Sequence, residues 1–211
     1  MNAAVDNGHD NPIRFKNGVW NKIDNVYYGE NSNNSLVLKF QGSRIDIIAG
    51  AVRTSEKLGA AKIKIDGIPI SSYSSLYAIT RPSAGPGTWW PLIRQVGYSK
   101  NLIPETWTMR VDKVNVDSTI WTFSVYGSKT GFDGSGSSDE TFVSKSGRVI
   151  IQKDDFMFLR IKNVFGQTTN SGFEVKWEVY PLFKEFYQAP QINDLSVVHK
   201  TTIVQGLTNK T

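Results

Sequence analysis

Two consecutive tryptophans, Trp89-Trp90, close the stretch Ser83-Ala-Gly-Pro-Gly-Thr-Trp-Trp90, where proline and glycine oppose both a helix and a central strand. An indole in such a loop is harder to bury than one on a strand. Sugars present flat C–H faces that pack on aromatic rings, and their hydroxyls call for fork-like partners from Asp, Asn, Arg or Gln. Trp89, Trp90, Arg94 and Tyr98 therefore form the candidate glycan platform. The competing role for the same indoles is to plug a seam between two β-sandwiches, because aromatic side chains in cores outnumber those in sites.

Other groupings point less far. Asp133, Asp139 and Glu140 surround a Gly-Ser-Gly-Ser-Ser run and could offer hard oxygen ligands to calcium. Their spacing departs from the EF-hand loop, and Gly, Ser and Asp populate turns readily, so the expectation is a flexible acidic hairpin loop without metal. The glycines of Gly131-Phe-Asp-Gly134-Ser-Gly136 lack the Lys-Ser/Thr and the following helix that a phosphate loop needs. With no cysteine, thiolate metal sites and a cysteine nucleophile are excluded, and two histidines far apart, His9 and His199, exclude a multi-histidine zinc site.

Hydrolytic chemistry is also poorly supplied. A glycosidase needs two carboxyls about 5 to 9 Å apart across a cleft, and neighbours on a strand face opposite ways. Asp154-Asp155 is expected to be a turn, and Glu105 with Asp112 is the other carboxylate pair. No Gly-x-Ser-x-Gly elbow is present, Ser144 and Ser146 have no identifiable base, and His199 lies on an alternating strand as a satisfied or surface histidine. The expectation is a protein that is not an enzyme and uses no cofactor.

The elements that must position these residues are strands. Aromatics make up 12% of the chain, with 18 glycines and much Val, Ile, Thr and Ser, a profile of an all-β protein. After an irregular lead-in through about Tyr28, alternation sets in. Leu36, Leu38 and Phe40 share one face, Ile45, Ile47 and Ile48 follow, and Ile63 and Ile65 alternate with Lys62, Lys64 and Asp66. Asp66-Gly67 is a hairpin signal. Prolines 82, 86, 91 and 104 break the rhythm from Ser72 to Glu105. It resumes in Trp107/Met109/Val111, Trp121/Phe123/Val125, Val149/Ile151, Phe156/Phe158 on a strand over 156–161, and Phe173/Val175/Trp177/Val179. Trp107, Trp121 and Trp177 are expected in the core. A last strand is expected over Val197 to Val204, and no helical period exceeds a turn or two.

The net charge of +5, from 24 basic and 19 acidic residues, is spread without clusters and reads as mild solubility charge. Lys39, Arg44, Lys62 and Lys64 come nearest to a basic stripe, but no aromatics interleave with them, so a solvated sheet face is expected and nucleic acid is not. No apolar run reaches the roughly 18 to 20 residues that cross a bilayer, and the opening MNAAVDNGHD has neither a basic start nor an apolar stretch. The expectation is a soluble chain without signal peptide or membrane insertion.

The runs Ser35-Leu-Val-Leu-Lys-Phe-Gln-Gly-Ser-Arg-Ile-Asp-Ile-Ile-Ala-Gly50 and Gly59-Ala-Ala-Lys-Ile-Lys-Ile-Asp-Gly67 resemble the front half of galactose-binding-like jelly-roll modules. His199-Lys-Thr-Thr-Ile-Val-Gln-Gly-Leu-Thr-Asn209 is similar to their late strand and turn, and the closing strand that normally follows is missing. The resemblance implies a jelly-roll-like β-sandwich of residues 1–78 with 187–211, interrupted by an inserted antiparallel β-rich module, 79–186. In that insert Ile103-Pro-Glu-Thr-Trp107, Val125 to Asp139 and Phe142 to Ile151 resemble β-rich modules of bacteriophage tail and fibre proteins. Together these resemblances imply a non-catalytic virion structural protein at a virion or extracellular surface. It would assemble with other virion proteins as a homo-oligomer and contribute to binding a cell-surface glycan. Two alternatives stay open: a carbohydrate-binding accessory module of a larger secreted hydrolase, and a ligand-free assembly or baseplate scaffold.

Overall fold

In the computed structural model the described residues are 2–4, 13–23, 26–29, 31–50, 59–191 and 198–207. The chain divides into two compact units, Met1–Leu76 with Leu182–Thr211, and Tyr77–Pro181. The described elements are antiparallel strands with a single α-helix and three 3-10 turns among them, so the protein is all-β.

In the first unit the strands are β1 (Asn2–Ala4), β2 (Ile13–Asn17), β3 (Trp20–Ile23), β4 (Val26–Gly29), β5 (Ser35–Leu38), β6 (Arg44–Gly50), β7 (Ala61–Lys62), β8 (Lys64–Ile65) and β9 (Ile68–Pro69). The second unit holds β10 (Tyr77–Ile79), β11 (Glu105–Val114), β12 (Trp121–Gly127), β13 (Gly131–Ser137), β14 (Phe142–Val143), β15 (Ile150–Ile151), helix α1 (Phe158–Phe165) and β16 (Glu174–Pro181). The first unit then resumes with β17 (Phe186–Tyr187) and β18 (Val198–Gln205).

The described residues of the lead-in are not irregular. Their backbone forms a three-stranded sheet in the order β1-β4-β3, and β2 pairs with β5. Alternation gives no warning of this because polar Asn, Asp and Lys occupy many of the positions, and here backbone pairing, not an apolar stripe, defines the strands. Asp66 and Gly67 do turn a hairpin between β8 and β9, with φ of 51° and 80°, the paired left-handed conformation of a type I′ turn. The β6–β18 ladder slips between Thr202 and Val204, leaving Ile203 as a bulge residue. Ile203 and Val204 are thereby both buried although adjacent, Ile203 against Tyr187 and Ile47, Val204 against Ile70 and Leu76.

The second unit is built on a five-stranded antiparallel sheet, β10-β16-β11-β12-β13. Its inner face carries Trp107, Met109 and Val111 from β11, Trp121, Phe123 and Val125 from β12, and Val175, Trp177 and Val179 from β16, all buried. Over this face lies a second layer. The segment from Leu92 to Gly97 bridges to the 150–156 stretch at Ile93↔Phe156 and Gly97↔Ile150, and the hairpin β14–β15 and helix α1 complete the cover. Trp121 stacks on Phe158 of the helix with ring centroids 5.0 Å apart.

Two expectations fail here, each for a physical reason. Asp154-Asp155 does lie in a turn, the 3-10 turn Lys153–Asp155, but the strand expected over 156–161 is instead an isolated bridge at Phe156 followed by helix α1. Phe158, Ile161 and Phe165 follow the helical spacing that brings one face onto the sheet, and Gly166, at φ 66°, ends the helix in the left-handed conformation with its N–H donating to the Lys162 carbonyl. The flexible loop expected around Gly131 to Glu140 is instead strand β13, paired with β12 from Gly127↔Gly131 to Thr122↔Ser137. Glycine weakens a strand, but here it makes room. Gly136 lies opposite Phe123, and a methyl group on it would meet Phe142 Cδ2 at 2.7 Å and Phe123 Cζ at 3.1 Å.

Candidate functional site

The loop that carries the tandem indoles is short and pinned from several sides. Ala84 bridges to Pro91, Gly85 N–H donates to the Trp90 carbonyl at 2.8 Å, and Trp90 N–H donates to the Thr88 hydroxyl at 3.1 Å. Gly87 turns the chain at φ 63°, and a side chain there would press on Gln167 just beyond α1. Gly85 sits so close to Leu92 and Ile161 that a Cβ would lie 3.2 to 3.3 Å from them. The loop is therefore seated on the core of the second unit and not free to collapse over its own aromatics.

On this mount the two indoles have different jobs. Trp90 is half-buried, packs against the main core and meets Phe165 edge-on at 5.0 Å. Trp89 is 71% exposed and meets Trp90 edge-on at 5.8 Å, with the ring planes 82° apart. Two guanidiniums flank the pair. Arg81 lies 5.9 Å from the Trp89 ring and donates from Nη2 to the Trp89 carbonyl at 3.0 Å, while Arg160, from α1, lies 5.5 Å from the Trp90 ring.

Arg94 is held elsewhere: its Nε donates to Asp155 Oδ1 at 2.8 Å, and its backbone N–H to the Asp155 carbonyl. The extended run after Pro91 carries Tyr98, 37% exposed, toward the neighbourhood of Gly147, where Ser99 N–H donates to the Gly147 carbonyl. The structure thus brings Trp89 and Trp90 together with Arg81, Arg160 and Phe165, three residues sequence reasoning missed. Arg160 and Phe165 had no local signal, because both reach the loop from a helix some 70 residues downstream.

Of the acidic candidates, Asp133 serves as an anchor. Asp133 is the extra residue of a β-bulge, where the β12–β13 register slips between Val125↔Gly134 and Tyr126↔Phe132. Its buried carboxylate accepts the Ser146 N–H at 2.9 Å and the Ser146 hydroxyl at 2.6 Å, tying β13 to the 144–149 turn. Asp139 is exposed and accepts the Ser137 hydroxyl, a bond that lowers its carboxyl below the ordinary range; Glu140 is exposed too. Among the described residues no three Asp, Glu or His side chains converge as a metal site.

The remaining polar candidates are engaged structurally. Glu105, buried, accepts N–H groups of Lys129 and Thr130 at 3.0 and 3.2 Å, and Asp112 accepts the Ser124 hydroxyl at 2.6 Å. Ser144 accepts the Val149 N–H. Lys39, Arg44, Lys62 and Lys64 are all exposed. His199 is half-buried on β18 opposite Ala49, whereas His9 lies outside the described residues. No helix among the described residues is long and apolar enough to cross a membrane. No family model matches the chain, and neither a curated protein nor a solved structure matches it.

Proposed function

We propose that the chain is a non-catalytic structural and binding component that presents a shallow glycan platform, centred on Trp89 and backed by Trp90, at a virion or extracellular surface. One observation carries this reading: a 71% exposed indole held on a loop that is fastened to the core on both sides. Left bare, that ring adds little to the fold's stability beyond its edge contact with Trp90 and the Arg81 guanidinium beside it. Covered by the C–H face of a sugar, about 100 Å² of it would contribute about 2.5 kcal/mol, or somewhat under a hundredfold in affinity. A fixed ring loses little conformational freedom on binding, so most of that contribution survives.

Such sites are weak singly. Repeated copies in a homo-oligomer, as the resemblance to tail and fibre modules suggests, would raise avidity by about two to four orders of magnitude through effective concentration. The test is a glycan array probed with the wild-type chain displayed multivalently on beads, beside a Trp89→Ala variant. Retention of glycans by the wild type, with loss of at least tenfold in Trp89→Ala at an unchanged melting temperature, is the expected result. An array on which the wild type retains nothing would refute the reading.

A further inference from the structure

We propose that the ligand of this platform is an acidic saccharide, a sugar carrying a carboxylate that the guanidiniums of Arg81 and Arg160 receive while its ring lies on Trp89. The inference rests on the reading of Trp89 and Trp90 as a glycan platform and adds the charge class. Among the described residues Arg44, Arg94 and Arg110 each pair with a carboxylate, namely Asp46, Asp155 and Asp112. Arg81 and Arg160, like Arg14 and Arg148, have no carboxylate partner among the described residues, and they are the two exposed guanidiniums that lie within 6 Å of an indole of the pair.

That arrangement is selective. A guanidinium is a planar, permanently charged fork with five N–H donors that match a carboxylate in bidentate fashion; Arg81 uses one donor on the Trp89 carbonyl and keeps the others, and no side-chain hydrogen bond occupies Arg160 among the described residues. A guanidinium beside the exposed Trp89 ring and a second beside its edge-on neighbour Trp90 suit a ligand of one or two sugar units with negative charge beside an apolar face. A neutral sugar would cover the ring but leave both cations unanswered. A single-stranded nucleic acid would need successive stacking rings along a cationic track, and here one ring is open, with one cation beside it and a second beside the neighbouring half-buried indole.

The experiment measures binding to hyaluronan, alginate and polygalacturonate, with dextran as the neutral polymer, polyadenylate as the nucleic acid and phosphatidylserine vesicles as the anionic membrane. The wild type, Trp89→Ala, Arg160→Gln and Arg160→Lys are compared. Arg160 is the cleaner probe, because it is an exposed helix residue, whereas Arg81 also holds the Trp89 carbonyl. The expected result is binding of at least one acidic polysaccharide that weakens with added salt and falls tenfold or more in both Trp89→Ala and Arg160→Gln. Arg160→Lys should restore only part of it, since lysine returns the charge without the fork. Binding to dextran or neutral array glycans that needs Trp89 but not Arg160 would overturn the inference and leave the platform standing. Preference for polyadenylate or the vesicles would overturn the inference, and absence of binding to every probe would overturn both.

Discussion

Replacing Asp133 by alanine separates two roles for the same carboxylate. As a calcium ligand, Asp133 would matter only when the ion is present. As the anchor of the bulge in β13, it matters always. In the structure its oxygens accept the N–H of Ser146 at 2.9 Å and the Ser146 hydroxyl at 2.6 Å, and the side chain is buried. Hydrogen bonds to a charged group contribute about 1.5 to 3 kcal/mol each. Ser146 is half-buried, so water can replace part of what is lost and the lower figure applies to both bonds. Asp133→Ala should therefore cost about 3 kcal/mol, or about 6 to 12 °C in melting temperature if the chain unfolds in one transition. Asp133→Asn keeps one acceptor oxygen and should cost about half as much. Thermal melts followed by near-ultraviolet dichroism, run with calcium and with chelator, give the answer. The loss should be the same in both. A bound ion at a hundred times its dissociation constant would add about 2.7 kcal/mol to the wild type. A calcium-dependent rise in the wild type that disappears in Asp133→Ala would refute the anchoring account, as would an Asp133→Ala melt equal to that of the wild type.

Two further expectations test the fold. Gly136→Ala forces a methyl group against Phe142 at 2.7 Å and Phe123 at 3.1 Å, so it should destabilise by about 2 kcal/mol, whereas Gly59→Ala, where a methyl meets nothing within 4 Å, should change stability by no more than about 0.5 kcal/mol; denaturant midpoints measure both, and equal midpoints would count against the packing described for β13. In the first unit, burial alone would raise the Asp46 carboxyl, but the Lys200 ammonium, the Thr202 hydroxyl and the Arg44 guanidinium together bring it down to about 2. A carboxyl lowered on folding stabilises above its unfolded value, about 3.9, and that contribution drains away as pH falls toward 2. The stability advantage of wild type over Asp46→Asn should thus be constant above about pH 5 and shrink progressively below that, disappearing only as pH falls through 2, and a pH-independent difference would show that the cluster does not hold Asp46 in its charged form.

What the sequence discloses follows from how far apart in the chain the cause and the effect lie. Trp107, Met109 and Val111 declare their face because alternation within a single strand is enough to bury them, and Trp121, Phe123 and Val125 do the same. Gly134 and Gly136 hide theirs. Glycine reads as a turn signal, and only the arrival of the Phe142 ring over the sheet explains Gly136, while Gly134 is called for by its backbone, at φ 138° beside the bulge. Helix α1 hides differently, since Phe156 and Phe158 alternate like a strand while Phe158, Ile161 and Phe165 repeat like a helix. The sheet surface that receives the helical face decides between the two periods, and Gly166 was the local sign that a helix ends there. The same distance rule governs the candidate site. Proline and glycine around Trp89-Trp90 expose the loop in the sequence itself, but Arg94 and Tyr98, its near neighbours in the chain, leave along an extended segment, one to Asp155 and the other toward the 147 turn. Residues only a few positions apart on an extended chain are already separated by several times 3.3 Å, so proximity in sequence is poor evidence of a shared site there. Arg160 arrives by the opposite route, carried to Trp90 by a helix whose other face is buried in the core. A site assembled in this way depends on the helix being docked, and the cation beside the indoles is set by the same packing of Phe158 and Ile161 that stabilises the unit.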